Sequence, residues 1–117
     1  MTGIGTGDYH QRMVMPAEAI RRLPTRVVSE ATGANQRTVE RWRAGMGPRR
    51  TAYRIRLEDL AAVLEILGGQ MGPRAWQAWL TGRSAHLGWQ RPVELLAAGQ
   101  FDRVRGAALA YAAGDPT

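Results

Sequence analysis

The sequence contains no cysteine and no lysine among its 117 residues. Without cysteine the chain can form no disulfide, no thiolate zinc site and no cysteine nucleophile. No apolar run approaches the roughly 20 residues that span a bilayer. The first ten residues also lack the charged-then-apolar pattern of a secretion signal. We therefore expect a soluble, cytoplasmic protein with no membrane association.

Side chains suited to catalysis or metal binding are also sparse. The two histidines, His10 and His86, lie far apart, and neither has a second ligand at metal-binding spacing. Glu58 and Asp59 are adjacent, so on a helix their carboxylates diverge and cannot flank a substrate bond. The glycines form no phosphate-binding loop between a strand and a helix. The sequence predicts a protein that is not an enzyme and has no cofactor, catalytic site or metal site.

Positive charge is concentrated in one part of the chain. All 16 basic residues are arginine, and the formal net charge is +6. Ten of these arginines lie between Arg21 and Arg56, against only Glu30 and Glu40, which gives this segment a balance of +8. The segments on either side each sum to −1. Such a concentration is typical of a surface that binds nucleic acid phosphates.

Proline, glycine and asparagine divide the chain into helical segments, and no strand alternation is present. The segments predicted as helices are 16–23, 25–32, 36–44, 57–67, 73–80, 92–96 and 100–113. We expect Ala17 to face the core with Ile20 and Leu23, and Glu58 and Asp59 to lie in the first turn of the fourth helix. The predicted fold is all-α, with an N-terminal helix-turn-helix bundle and a small helical C-terminal domain. Its predicted parts are a flexible tail (1–15), the helix-turn-helix domain (16–54, ending in a basic linker over 49–54) and the C-terminal domain (55–117).

The segment from Thr25 to Ala44 has the pattern of a helix-turn-helix, whose second helix enters the DNA major groove. Gly33 can adopt the left-handed conformation of the turn, and Asn35 is a good N-cap for the second helix. Four apolar residues have the spacing to pack the two helices together: Val28, Ala31, Val39 and Trp42.

The outer face of the second helix predicts the DNA contacts. Its glutamine and arginines can bind base edges, whereas Thr38 and Arg43 are better placed for phosphates. Glu40 is expected to bind a cytosine amino group or to pair with Arg37 or Arg43. The predicted DNA-binding residues are Asn35, Gln36, Arg37, Thr38, Arg41 and Arg43. The alternative is a helical hairpin that serves only packing or dimerisation.

The second half of the chain resembles the C-terminal domain of the Xre/MbcA/ParS antitoxins, which follows a helix-turn-helix. The resemblance covers residues 16–114 and depends on four motifs: AWQAWL (75–80), LGWQRPVELL (87–96), GQFDRV (99–104) and ALAYAAG (108–114). The chain departs from that family at Trp89, where a small residue is common, and in its alanine-rich last helix.

This resemblance implies a type II antitoxin. The implied partner is a RES-domain toxin, an enzyme that destroys NAD. By the same resemblance, the extreme C-terminus of the antitoxin, Tyr111 to Thr117, would obstruct the toxin's active-site cleft. The complex would contain a homodimer of the antitoxin within a hetero-oligomer, bind operator DNA and repress its own operon. Leu109 is added to the interface because it lies off the apolar stripe of the last helix, and Trp89 also lies in a glycine-containing loop. The predicted toxin-binding residues are Trp89, Arg91, Arg103, Leu109, Tyr111, Asp115, Pro116 and Thr117.

Two alternatives stay open. The first is a free-standing helix-turn-helix transcriptional regulator, whose C-terminal domain only dimerises or senses a ligand. The second is a helical adaptor with no role in DNA binding.

Overall fold

The computed structural model describes residues 15–68 and 71–114. His10, the predicted tail up to residue 14, and the predicted toxin contacts Asp115, Pro116 and Thr117 lie outside the described residues. The described chain forms seven α-helices and one 3₁₀ turn, so the predicted all-α fold class is confirmed. These are α1 (Pro16–Arg22), α2 (Thr25–Thr32), α3 (Gln36–Arg43), α4 (Thr51–Leu67), α5 (Pro73–Thr81), the 3₁₀ turn (Ala85–Leu87), α6 (Pro92–Ala97) and α7 (Phe101–Ala112).

Six of the seven helices begin within one residue of the predicted positions, because local chemistry fixes their starts. Proline occupies the first position of α1, α5 and α6. The backbone N–H at that position has no partner within the helix, so proline loses no hydrogen bond by lacking it. On α1 the prediction of the inner face needs one correction. Ala17 is exposed and Ala19 is buried, so Ala19, Ile20 and Leu23 form the inner face.

The fourth helix differs from its prediction. It begins at Thr51, so the predicted linker is wrong over residues 51–54. Glu58 and Asp59 consequently lie in the middle of α4 and not in its first turn. Arginine and alanine favour helix, but residues 51, 52, 54 and 55 are all exposed. The first turns of α4 therefore have no apolar stripe, and the apolar periodicity that predicts a helix begins only at Leu57.

Helix α4 lies at the centre of the molecule, in contact with α1, α2, α6 and α7. Its inner side chains, including Leu57, Leu60 and Leu64, are fully buried. The most extensive helix pair joins α2, from the N-terminal half, to α6, from the C-terminal half. One continuous cluster of buried side chains therefore includes both halves. The predicted boundary at 54/55 falls inside α4, and the division of function between the halves stays a prediction.

No helix in the described ranges combines the length and apolar character needed to cross a membrane.

Candidate functional site

The connection between α2 and α3 is a tight turn held by side-chain hydrogen bonds. Gly33 ends α2 in the left-handed conformation, with φ +82°, which a side chain would disfavour. The Thr32 hydroxyl donates to the Val28 carbonyl and accepts from the Ala34 N–H. Asn35 then caps α3, since its Oδ1 accepts from the Thr38 N–H at 2.8 Å. The sequence therefore predicted both the turn and the cap.

Helix α3 is fixed in place by one buried ring and two polar contacts. Trp42 is buried, and its ring meets the ring of Tyr53 from α4 edge to face at 5.5 Å. Glu40 accepts a hydrogen bond from the Thr25 hydroxyl at 2.7 Å, which joins α3 to the start of α2. The predicted pairing of Glu40 with an arginine is absent from the described residues, and Thr25 is its partner.

Arg43 is the third of these anchors. Its guanidinium donates to the carbonyls of Ile20 and Leu23, at 2.7 and 2.9 Å, and so satisfies acceptors at the end of α1. These contacts give Arg43 a structural role between α1 and α3, and its predicted phosphate contact stays a prediction.

The outer face of α3 is open to solvent. Gln36, Arg37 and Arg41 are exposed, and Thr38 is half-buried. Among the described residues, α3 packs mainly against α1 and α2, so the helix lies at one edge of the molecule. A helix fixed on one side and exposed along a basic face has the geometry needed to enter a DNA groove. The DNA contacts themselves stay predictions.

A polar cleft of about 380 Å³ lies between α3 and the start of α4. Its lining residues come from α3, from the turn after it and from the start of α4: Asn35, Thr38, Arg41, Met46, Arg49, Arg50 and Tyr53. The sequence placed Arg49 and Arg50 in a linker within the basic segment expected to bind phosphates, but it assigned neither residue to a particular site. The cleft was missed because it depends on the early start of α4.

Trp89 is presented by a short loop between α5 and α6. Its side chain is 63% exposed, and its backbone has φ +66°, the one positive value for a non-glycine residue in the described chain. Two backbone hydrogen bonds close the loop: the Ser84 N–H donates to the Gln90 carbonyl, and the Trp89 N–H donates to the Ser84 carbonyl. An exposed indole on a strained backbone stabilises the fold little, which favours a role outside the fold.

Helix α7 exposes two further apolar side chains. Leu109 is 43% exposed, which confirms its predicted position off the buried stripe, and Tyr111 is 38% exposed. The Tyr111 ring lies 6.3 Å from the ring of Trp79, which is buried. Val104, Ala107 and Ala108 are the buried residues of α7. The toxin contacts predicted for Leu109 and Tyr111 stay predictions.

The two arginines predicted at the toxin interface differ in their surroundings. The Nε of Arg91 donates to the Thr81 carbonyl at 2.8 Å, and its terminal nitrogens pair with Glu30 at 3.2 Å and Glu94 at 3.5 Å. Arg91 therefore links the C-terminal half to α2. Arg103 is exposed, and its one hydrogen bond within the described residues is to the Gln100 side chain, at 2.9 Å. Of the two, Arg103 has the freer guanidinium for an external partner.

One carboxyl group of α4 has a perturbed pKa. Burial raises the pKa of the Asp59 carboxyl, and the charges of Glu58 and Asp102 add to the rise, while Arg56 opposes it. Within residues 15–68 and 71–114, no three histidine, cysteine, aspartate or glutamate side chains form a group that could hold a metal ion.

Comparison with known proteins finds one informative relative. Over 85 residues the chain is 33% identical to the probable mycobacterial cidal antitoxin Rv3188 of Mycobacterium tuberculosis. The alignment covers 72% of this chain and 71% of that protein. No family model matches the chain, and no solved structure matches it.

Proposed function

This chain belongs to the family of the mycobacterial cidal antitoxins, and from that premise we propose that it neutralises a RES-domain, NAD-degrading toxin. In this proposal the C-terminal half binds the toxin and its last residues obstruct the active-site cleft. The α2–α3 unit binds the operator and represses the operon that encodes both proteins. The RES class of the toxin follows from the resemblance of residues 75–114 to the Xre/MbcA/ParS antitoxins.

The observation that carries toxin binding is the presentation of Trp89. Holding a tryptophan at φ +66° costs roughly 1–3 kcal/mol of backbone strain. Most of the indole is in water, so burial within the fold offsets little of that cost. Tryptophan is also the residue type most enriched among those that dominate the energy of protein interfaces. We infer that Trp89 is the central contact with the toxin, with Leu109, Tyr111 and Arg103 as further contacts.

This inference is tested with Trp89→Gly. Glycine accepts a positive φ without strain, so we expect the temperature of unfolding to be maintained. Toxin affinity should fall at least about thirtyfold, the equivalent of the 2 kcal/mol or more that defines such a dominant contact. Affinity is measured by calorimetric titration with the toxin encoded beside this chain. Ile55→Ala is the matched control, because Ile55 is also an exposed apolar residue but lies on α4. Equal affinity for Trp89→Gly and the control would refute the assignment.

Obstruction of the toxin is tested separately from binding. A chain that ends at residue 110 loses the proposed contact of Tyr111 but keeps those of Trp89, Leu109 and Arg103, so it should still bind the toxin. It should no longer inhibit NAD hydrolysis, because residues 111–117, which are proposed to enter the cleft, are gone. Full inhibition by this shortened chain would exclude the proposed mode of neutralisation.

The observation that carries DNA binding is the exposed basic face of α3. Gln36 and Arg37 lie on the solvent side of α3, which is capped by Asn35 and held against the core by the buried Trp42. Arginine and glutamine recognise guanine and adenine edges in the major groove, each worth about 1–3 kcal/mol of discrimination. We expect two copies of the chain on a two-fold symmetric operator, one α3 per half-site.

DNA binding is tested with a duplex carrying the sequence upstream of the chain's own gene. Affinity should fall steeply with salt, and Arg37→Ala should reduce the preference for this duplex over a scrambled one by about 1–3 kcal/mol. An equal affinity of wild type and Arg37→Ala for both duplexes would contradict base recognition by α3. A chain that binds DNA but no toxin would instead support the free-standing regulator.

A further inference from the structure

The polar cleft between α3 and α4 has a charge that the fold itself does not neutralise. Three of its lining residues, Arg41, Arg49 and Arg50, carry guanidinium groups, and no carboxylate lines it. In the part of the chain that the structure describes, none of these three arginines takes part in an ion pair. By contrast, Arg91 finds its carboxylates inside the molecule. Like charges gathered around an open cleft favour an anion as its occupant.

The polar groups of the cleft suit a phosphate group. Asn35, Thr38 and Tyr53, whose side chains carry hydrogen-bonding groups, line the cleft together with the three arginines. Arginine presents several N–H donors in a planar fork that matches phosphate oxygens. The Tyr53 ring is held in place by Trp42 on one side, and the Arg50 guanidinium lies 5.8 Å from its centre. The donors are therefore supported by packed groups on α3 and α4.

The position of the cleft identifies the source of the phosphate. Asn35, Thr38 and Arg41 line it from α3, and they adjoin Gln36 and Arg37, the residues proposed to contact bases. A phosphate in the cleft would thus lie beside the groove that α3 enters. We propose that the cleft binds one phosphate of the DNA backbone, with Arg49 and Arg50 as its principal ligands. This proposal depends on the proposed DNA binding by α3 and extends the interface to the start of α4.

The test compares two doubly substituted full-length chains by fluorescence anisotropy. Arg49→Gln/Arg50→Gln removes two charges from the cleft, and Arg74→Gln/Arg105→Gln removes two charges from exposed positions on α5 and α7. Phosphate contacts do not depend on base sequence. The cleft variant should therefore lose about tenfold in affinity, or more, for the upstream duplex and for a scrambled duplex alike. The slope of log affinity against log salt should become shallower by about one.

A second variant guards against a change in folding. Arg50 lies over the Tyr53 ring, so its loss could disturb α4, whereas Arg49 makes no such contact among the described residues. Arg49→Gln alone should keep the thermal unfolding curve of the wild type. Its affinity should fall equally for both duplexes, by less than that of the double variant.

Four results would overturn the proposal. The wild type could bind DNA, and the cleft and control variants could bind it with equal affinity. This result would refute phosphate binding by the cleft and leave the proposed DNA binding by α3 intact. The cleft variant could lose affinity for the upstream duplex but not for the scrambled one, which would show that Arg49 and Arg50 contact bases. Sodium phosphate could stabilise the wild type more than sodium chloride of equal ionic strength, and Arg49→Gln/Arg50→Gln could abolish that difference without changing DNA affinity. This result would identify free phosphate as the ligand. Absence of all DNA binding by the wild type would refute the cleft together with the proposed repression.

Discussion

Arg91→Ala is expected to destabilise the whole molecule, because its guanidinium joins the two halves of the chain. The side chain is 23% exposed and has contacts with the end of α5, with α2 and with α6. The Nε bond to the Thr81 carbonyl satisfies an acceptor in the last turn of α5. Alanine would leave that carbonyl without its partner and remove the link to Glu30.

The magnitude follows from these contacts taken one at a time. A hydrogen bond from a charged donor contributes about 1.5–3 kcal/mol. The pair with Glu30 is partly exposed, at 23% and 34% of the two side chains, so it adds only about 0.2–1 kcal/mol. Glu94 is half exposed and its 3.5 Å contact adds little. We expect Arg91→Ala to lower the free energy of unfolding by about 2–3 kcal/mol.

Urea denaturation followed by circular dichroism measures this loss. Glu30→Gln should cost no more than about 1 kcal/mol, and a double-mutant cycle with Arg91→Ala isolates the pair. Arg103→Ala is the matched control, since that arginine is exposed and has one side-chain partner. If Arg91→Ala unfolds at the wild-type urea concentration and loses only toxin affinity, the structural role is refuted and Arg91 belongs to the interface.

Three further substitutions test other parts of the structure. Asn35→Ala removes the cap of α3 and should cost about 1 kcal/mol by thermal unfolding; Asn35→Ser, which retains a capping oxygen, should recover most of it, and equal stability of all three chains would contradict the capping role. Trp76→Ala removes a side chain that is 1% exposed and should cost about 3–5 kcal/mol; a smaller loss than that of Arg91→Ala would contradict its place in the core. Asp59→Asn should raise stability at neutral pH, because burial raises the pKa of Asp59 and so disfavours its ionised form. The wild type gains stability as the pH falls through that raised pKa. The free energies of unfolding of the two chains, measured by urea titration, should therefore converge at about pH 4. A difference that grows on acidification would contradict the raised pKa of Asp59.

The parts of this fold that could be predicted are those fixed by neighbouring residues. Proline and Asn35 set helix starts, and Gly33 sets the turn, because their backbone preferences act within a few positions. The start of α4 was missed because its first turns are exposed and carry no apolar periodicity. For the same reason the adjoining cleft was missed as a candidate site.

Contacts between distant residues were beyond prediction for a different reason. Arg91 meets Glu30 across 61 positions of sequence, and Arg43 reaches carbonyls 20 and 23 positions away. No local pattern distinguishes an arginine that will find such a partner from one that stays in solvent. The exposure of the basic outer face of α3 and of Leu109 could be predicted, because helical periodicity alone places them.

The pairing of α2 with α6 has a consequence for the lifetime of the protein in a cell. Val27 and Val28 of α2 are fully buried, as are Val93 and Leu96 of α6, in a core that both halves share. A protease that removed α6 would uncover the inner side of α2, so the remaining fragment would lose much of the burial that stabilises it. We expect degradation to eliminate the proposed DNA binding and the proposed toxin binding together, and to leave no fragment that retains either. For the same reason, recombination could not transfer the α2–α3 unit to another C-terminal domain unless that domain supplied an equivalent of α6.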